Sequence, residues 1–190
     1  MSKNNKQTFL QKTFHHLKTI GEHRRLVREF CFKCGLYKQG LTHDLSKYSF
    51  SELIPSIRYY QGYRSPYTRE KELNGYSLGW LHHKGRNKHH WEYWWDKIDG
   101  KWQPIKMPQN YVVESICDRI AACKVYQKDQ YTPASPLNYY LSSNDEQNLH
   151  PLTANLFERI LRYIQINGEE NTFKRIKELL HQKKDLYQSF

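Results

Sequence analysis

The sequence predicts an all-α fold, a single-domain helical bundle of about six or seven helices over residues 1–190. Apolar residues recur at intervals of three and four in several long stretches, and no stretch alternates in the manner of a strand. We find no internal repeat and no glycine-rich phosphate loop. The chain is polar, with 38% hydrophobic residues, but 15% of its residues are aromatic. Disordered chains lack such an aromatic content, so the chain is predicted to fold.

The first predicted helix covers residues 8–35 and follows a tail, 1–7, that we expect to be flexible. A break is possible at Gly21, and Gly35 is suited to end the helix. His23 lies on or beside the apolar stripe of this helix, where a lone histidine is usually a hydrogen-bonded core residue. The stripe consists of Phe9, Leu10, Phe14, Leu17 and Ile20, followed by Leu26, Val27, Phe30 and Cys34.

The second predicted helix begins after residue 49. The segment 49–52, Ser-Phe-Ser-Glu, has the form of a capping box, and the helix extends to about Tyr60. Residues 61–75 are charged and rich in turn formers, which predicts a loop with at most one helical turn, suited to serve as a lid over a substrate. Residues 76–98 have helical character at both ends, with Gly85 weakening the middle.

The second half of the chain begins with a turn at Asp99-Gly100 and an irregular arm at 101–107. Pro108 is suited to the first position of a helix that runs to about Tyr126. Its predicted apolar face contains Val112, Val113, Ile116, Cys117, Ile120 and Ala121.

Residues 129–151 contain three prolines and a polar patch, which predicts a loop. Two helices complete the chain, at 152–166 and 169–184, with Asn167-Gly168 between them. At 190 residues the chain is long enough to bury a core and is expected to form one domain.

The charge of the chain points to an anionic partner. Thirty Lys and Arg residues against nineteen Asp and Glu give a formal charge of +11. This balance is typical of a generally basic, soluble surface, and also of proteins that bind a nucleotide, another phosphate ester or nucleic acid. No apolar run approaches the roughly 20 residues that cross a membrane, and no apolar signal core follows the first residues. We therefore expect a cytoplasmic protein without a membrane partner, and leave its oligomeric state open.

Two polar stretches concentrate the residues suited to catalysis. His43-Asp44 offers an imidazole and a carboxylate to one cation, and Lys47 lies within a turn of them, where it could hold a phosphate oxygen. The stretch 81–91 contains His82, His83, His89 and His90. Imidazoles together with carboxylates suit Mn, Fe, Zn, Co or Ni. Two such ions bridged by one aspartate would clamp a phosphoryl group and generate hydroxide from bound water.

The spacing of the histidines leaves their roles open. On a continuous helix His83, Asn87 and His90 would share one face, which favours His83 and His90 as ligands and makes His89 a third candidate. A loop that opens at Gly85 would reverse this choice. The basic side chains nearby are either solvated charges or phosphate contacts. The candidates for binding substrate are Lys84, Arg86 and Asn87.

The segment His43-Asp44-Leu45-Ser46-Lys47 resembles the HD-domain superfamily of metal-dependent phosphohydrolases. Members carry a histidine on an early helix, then the His-Asp pair, then a late aspartate on a distant helix of an all-α bundle. The resemblance implies that one metal is held by His23, His43, Asp44 and Asp118, and that Asp44 bridges to a second metal. The histidines implied for that second ion are His83, His89 and His90. In two-metal members the middle histidines come from two separate elements, whereas here they fall within nine positions.

Most of the chain, from about His23 to Lys177, also resembles a family of small microbial and phage proteins with no assigned function. The segments that carry this resemblance are HDLSKYS, WLHHKGRNKHHWEYW, MPQNYVVE and DRIAA. It supports the fold and the site more than a reaction.

The leading hypothesis is a metal-dependent phosphohydrolase that acts on a nucleotide or other phosphate ester. Metal-bound hydroxide would attack phosphorus, with Asp44 and Lys47 as the catalytic residues and one or two divalent transition metal ions as cofactors. A second hypothesis is a basic, aromatic-rich binding module for nucleic acid or a phosphorylated partner, with a structural metal. A third is di-iron oxygenase chemistry, because histidine and carboxylate ligands also serve iron.

Overall fold

The structure, a computed structural model, describes residues 8–190. The expected flexible tail at 1–7 lies outside the described residues. Over the described range the chain contains nine α-helices, four short 3₁₀ segments and one antiparallel pair of strands. The prediction of an all-α fold is thus confirmed apart from a small hairpin, with more helices than the expected six or seven. Within this range no helix combines the length and apolarity needed to cross a bilayer.

The elements follow one another with short connections. The α-helices are α1 (Phe9–Lys33), α2 (Tyr37–Thr42), α3 (Phe50–Tyr59), α4 (Pro66–Asn74), α5 (Leu78–Arg86), α6 (Gln109–Gln127), α7 (Ser135–Ser143), α8 (Pro151–His181) and α9 (Leu186–Ser189). The strands β1 (Trp95–Ile98) and β2 (Lys101–Pro104) lie between α5 and α6. The 3₁₀ segments are Leu45–Tyr48, Trp91–Tyr93, Lys128–Gln130 and Asp145–Asn148.

The hydrophobic core lies between α1, α6, α7 and α8. The predicted apolar face of α6 is fully buried there, and the ring of Phe30 on α1 stacks on that of Phe173 on α8 with centroids 5.3 Å apart. The four cysteine thiols are free and buried in the same region. This packing fixes α1 beside α6, and these two helices carry His23 and Asp118.

Helix α1 is continuous through Gly21, so the possible break there does not occur. It ends as expected at Gly35, whose φ is +82°; the Gly35 amide donates to Phe32 O and the next amide donates to Cys31 O. The predicted apolar stripe is wrong in its first half. The buried face instead follows His16, Ile20 and His23, because this end of the helix lines a polar cleft. The side chains found exposed are Phe9, Leu10, Phe14 and Leu17.

The prediction of a helix over 76–98 is wrong in its second half. Helix α5 stops at Arg86, and the chain then forms the hairpin β1–β2, in which Lys97 pairs with Trp102. Asp99 and Gly100 both have positive φ, at 51° and 79°. Positive φ at both central residues gives the two-residue turn whose twist matches antiparallel strands. The Asp-Gly turn was therefore located correctly, but the flanking 101–107 segment is partly strand rather than an irregular arm.

Both predicted loops contain a helix. Within 61–75, α4 begins at Pro66 and ends at Gly75, whose φ is +79°. Within 129–151, α7 has Pro136 in its first turn and ends at Asn144, with φ +54°. Proline in a first turn lacks only an amide that the helix would leave unpaired, so it starts a helix as readily as it marks a loop.

Helices α3, α6 and α8 agree with the sequence, whereas the short helices α2 and α9 were not predicted. Helix α6 covers the predicted span, with Pro108 as its N-cap. Helix α8 contains both predicted C-terminal helices and changes direction at Gly168, where φ is 77° and ψ is 169°. Helix α3 ends one residue before Tyr60.

Candidate metal centre

A sharp turn between α2 and the next 3₁₀ segment brings two adjacent side chains into one site. His43 ends α2 with extended backbone, and Asp44 has left-handed φ and ψ of 54° and 27°. Aspartate is one of the few residues that adopt this conformation readily. Neighbours on a helix cannot share a face, so this turn is what lets both side chains reach His23 on α1 and Asp118 on α6.

The first group of ligand atoms comes from His23, His43, Asp44 and Asp118, all within 4.8 Å of one another. Asp44 Oδ2 lies 3.4 Å from His43 Nε2 and 3.8 Å from His23 Nε2. Asp118 Oδ1 lies 3.5 Å from His43 Nε2. A tetrahedral ion with bonds of about 2.1 Å separates its ligand atoms by about 3.4 Å. The group therefore has the spacing of a single cation site.

The second group comes from Asp44, His83, His89 and His90, again within 4.8 Å. Here the other oxygen of the aspartate is used: Oδ1 lies 3.4 Å from His83 Nε2 and 3.5 Å from His89 Nε2. Asp44 thus directs one oxygen to each group. His82 belongs to neither group, because its Nδ1 pairs with Glu52 Oε1 at 2.7 Å.

The three histidines of the second group do not meet on one helix face. Helix α5 ends at Arg86, and the chain changes direction at Asn87, which carries His89 and His90 back toward His83. The side-chain amide of Asn87 stabilises this turn: its Nδ2 donates to His83 O and to Ser46 Oγ, each at 2.8 Å. The predicted helix face shared by His83, Asn87 and His90 therefore does not exist, although His83 and His90 do lie in one site with His89.

The centre contains buried polar atoms without an aligned hydrogen bond. His23 Nε2 belongs to this set although Asp118 Oδ1 lies 2.8 Å away. Leaving such atoms unpaired in a protein interior is costly, and a cation would satisfy lone pairs that point at one another. The donor set of imidazole and carboxylate fits a divalent transition metal. Six atoms lack an aligned hydrogen bond: the Nε2 atoms of His23, His43, His89 and His90 and both carboxylate oxygens of Asp44, although Lys47 Nζ lies 2.6 Å from Oδ2.

Two buried glutamates orient the histidines from behind. Glu114 Oε1 lies 3.0 Å from His43 Nδ1 and 3.2 Å from His89 Nδ1, and Glu52 Oε2 lies 2.7 Å from His83 Nδ1. A carboxylate that accepts a hydrogen bond from Nδ1–H keeps the proton on Nδ1, so that the lone pair of Nε2 is directed at the centre. Neither glutamate is among the site residues predicted from the sequence. Glu114 precedes Asp118 by one helical turn, and that i, i+4 pair of acids in an apolar helix was the available signal.

The capping box predicted for residues 49–52, with Glu52 as its acidic residue, does not form. The side chain of Ser49 makes no capping hydrogen bond, and the Glu52 carboxylate is fully buried between α3 and α5. There it also accepts a hydrogen bond from Tyr67 Oη at 3.2 Å. The local pattern resembled a helix start because its residue types suit one, whereas the contacts of Glu52 are 15 to 31 residues away.

The electrostatics of the site favour a charged Asp44, a charged His43 and a neutral His90. Burial alone would raise the pKa of Asp44, but His43, Lys47 and His83 hold it well below its usual value. Burial would likewise lower the pKa of His43, but Asp44, Asp118 and Glu114 raise it well above its usual value. Burial, then His89 and His83, keep the pKa of His90 well below its usual value. The buried carboxylates thus favour a positive charge on the neighbouring His43, and a bound cation would supply that positive charge instead.

A cleft of about 330 Å³ opens onto the centre. His23, His83, His90 and Asp118 line it, so both groups face the same space. Lys47 also lines it, with Nζ 2.6 Å from Asp44 Oδ2. Burial opposes the charge on Lys47, but Asp44 and Asp118 raise the pKa of its ammonium group above the usual value. The residues predicted from the sequence to bind substrate, Lys84, Arg86 and Asn87, do not line this cleft. Two basic residues that were not predicted, Lys71 and Arg119, do line it.

Comparison with known proteins identifies the family without a function. DUF5662, described as a family of unknown function, matches residues 12–163, a range that includes both ligand groups and both glutamates. No curated protein and no solved structure matches the chain. Since the family match covers well over half of the sequence, the chain belongs to DUF5662.

Proposed function

We propose that this protein is a metal-dependent phosphohydrolase with an HD-like pair of metal sites. The observation that carries the proposal is the position of Asp44, which directs Oδ2 to one group of ligands and Oδ1 to another. Paired divalent ions supply a Lewis acid for phosphoryl oxygens and activate water at neutral pH. Hydrolysis would break the bond between phosphorus and the alcohol oxygen and add water across it.

The order of the ligands along the chain supports the HD-like interpretation. His23 lies on the first helix, His43 and Asp44 follow at the end of the second, and Asp118 lies on a later helix packed against the first. The histidines of the second group come between the pair and the last aspartate. This is the arrangement that the resemblance implies, and an all-α bundle is the fold that it requires.

The side chains around the cleft support a phosphate ester as substrate. Lys47 is bound to Asp44 on one side and has 21% of its side chain exposed, so its ammonium group remains available to a phosphate oxygen. The volume of about 330 Å³ lies at the lower end of small-molecule sites and suits a nucleotide or a smaller phosphate ester. Trp80 and Tyr126 offer aromatic surface to its organic part.

Elemental analysis of the purified protein tests the metal sites. We expect one or two equivalents of Mn, Fe, Zn, Co or Ni in the wild type and little or none in Asp44→Asn, because that aspartate serves both groups. Asparagine tolerates the same left-handed backbone, so the variant should fold. His83→Ala should retain one ion. Asp129→Asn, at an exposed position, is the matched control and should bind as the wild type does. A metal-free wild type after reconstitution would contradict the proposal.

A screen of phosphomonoesters and phosphodiesters with the loaded protein tests the reaction. Lys47→Gln should keep its metal but lose about 10²- to 10³-fold in kcat, the usual effect of removing one stabiliser of developing negative charge. Metal-loaded protein that hydrolyses no phosphoester, contains iron and consumes oxygen would favour di-iron chemistry instead, because the same ligand set serves both.

A second candidate, nucleic-acid binding, is favoured by the hairpin. Trp102 is 67% exposed and stands opposite Lys97, so an aromatic ring and an ammonium group share one surface. Such pairs bind single strands by stacking and phosphate contact. Oligonucleotide binding that weakens steeply with salt, needs no metal and is lost in Trp102→Ala would support this candidate.

A further inference from the structure

A second polar site lies in the cleft, two helical turns from the first group of ligands. His16 and His23 share the same face of α1, about 10 Å apart along the helix axis, and both line the cleft. His16 is 5% exposed and its ring packs at 5.1 Å from that of Tyr60. It contacts none of the proposed ligands, so its role there is separate from theirs.

The hydrogen bonds around His16 define which of its nitrogen atoms carries the proton. Ser56 Oγ lies 2.8 Å from His16 Nε2 and donates its own proton to Leu53 O at 3.0 Å. A hydroxyl group has one proton, so a Ser56 that donates to Leu53 O accepts from His16 Nε2–H. Nδ1 of a neutral His16 is then an acceptor. Burial, with a contribution from Lys47, lowers the pKa of His16 to about 4, so the ring is neutral near pH 7.

Nδ1 of His16 has no hydrogen-bond partner, although it is buried. Thr19, one turn along and also on the cleft wall, differs from His16 because its hydroxyl group is paired: it donates to His15 O at 3.0 Å and lies 3.0 Å from Tyr60 Oη. His16 Nδ1 is therefore an unused hydrogen-bond acceptor in the wall of the cleft that Lys47 also lines.

We propose that His16 Nδ1 accepts a hydrogen bond from a hydroxyl group on the alcohol part of the substrate. The proposal rests on the proposed function and specifies its substrate class: phosphomonoesters of sugars or other polyols. With phosphate held beside Lys47, the alcohol part extends along α1 toward His16. A hydroxylated chain pairs the buried acceptor, and a plain alkyl chain leaves it unpaired at a cost.

Two phosphonates of equal chain length provide the test: pentylphosphonate and 2,3,4,5-tetrahydroxypentylphosphonate. Their carbon–phosphorus bonds resist hydrolysis, so calorimetry with the metal-loaded protein measures binding independently of turnover. The wild type should bind the hydroxylated probe more tightly. His16→Leu should reduce that preference about three- to tenfold, the size of one neutral hydrogen bond.

Three variants separate recognition from packing. His16→Asn places an amide oxygen near the position of Nδ1 and should keep part of the preference. His15→Asn changes the exposed neighbouring histidine and should keep all of it. If His16→Leu fails to fold, Ser56→Ala replaces it: without Ser56 the ring loses its fixed proton, and the preference should fall by a smaller factor.

The outcomes distinguish this inference from the function on which it rests. Equal binding of the two probes by the wild type, or an unchanged preference in His16→Leu, would overturn the role of His16 while leaving phosphate binding intact. If neither probe nor inorganic phosphate binds the loaded protein, the proposed function itself fails.

Discussion

Individual side chains behind the ligands control how the histidines present their nitrogen atoms. Glu114 contacts His43 of the first group and His89 of the second, whereas Glu52 contacts only His83 among the ligands. The carboxylate of each glutamate fixes the orientation of the histidine ring and raises the basicity of its Nε2, which then faces the cation site. Glu114 therefore contacts ligands of both groups and Glu52 a ligand of one group, although both glutamates have the same chemistry.

Replacing each glutamate by glutamine should reveal this difference. Glu114→Gln should weaken the binding of both ions about 10- to 100-fold, and Glu52→Gln should weaken one ion by a similar factor. Competition with a chromophoric chelator measures both affinities. Glu22→Gln, beside His23 but exposed, is the control. Equal effects of the two buried substitutions on both sites would show that the contacts do not orient the ligands as described.

His16 should make the stability of the protein depend on pH. The folded protein holds this ring neutral, with the pKa lowered from 6.5 to about 4, so the unfolded chain binds the proton more readily. Stability is then complete above pH 6.5 and falls as the pH decreases toward 4. Between pH 7.5 and 4.5 the wild type should lose roughly 2 kcal/mol more than His16→Asn, as measured by urea unfolding. His15→Asn should follow the wild type, and parallel losses in all three proteins would refute the assignment.

At the scale of elements, periodicity located the long helices of the core and missed short helices, including α7, which packs against that core. Helix α6 has a wide buried apolar face and was placed correctly. Helix α4 is short, charged and mostly exposed, so its residues resemble a loop until its proline and glycine are taken as the start and end of a helix. The hairpin was missed because β1 and β2 are exposed on nearly every position and show no alternation.

Two glycines in helices should respond oppositely to alanine. Gly21 lies inside α1 with open space around its missing side chain, so Gly21→Ala should stabilise the protein by about 0.5–1 kcal/mol. Gly168 combines φ of 77° with ψ of 169°, a conformation that is essentially confined to glycine. Gly168→Ala should cost about 1–3 kcal/mol. Urea unfolding compares them directly, and a stabilising Gly168→Ala would mean that α8 can straighten.

At the scale of the whole molecule, the centre joins segments that are distant along the chain. Its ligands come from α1, the turn after α2, α5 and the segment that follows it, and α6. The sequence indicated the ligand types because histidines and aspartates are recognisable by order alone. It did not indicate that Glu114 contacts His43, because the two lie 71 residues apart and meet only through the packing of helices.

Removing metal should destabilise the entire domain because the ions would tie these segments together. Binding at a thousandfold excess over Kd adds about 4 kcal/mol. In a chain of this size that corresponds to about 10 °C in Tm. A chelator should therefore lower the Tm of the loaded wild type and leave that of Asp44→Asn unchanged. Chelator-insensitive unfolding of a loaded wild type would place the metal outside this centre.

The indole of Trp80 lies with its centroid 4.7 Å from that of His90, and both rings line the cleft. An excited indole transfers energy to a neighbouring ion with a partly filled d shell, whereas Zn²⁺ has a filled shell and accepts none. The protein thus contains its own optical probe. Its intrinsic fluorescence should dim when Co²⁺ or Ni²⁺ enters the second group and stay bright with Zn²⁺, so the emission intensity would distinguish Zn²⁺ from ions with a partly filled d shell without any added dye.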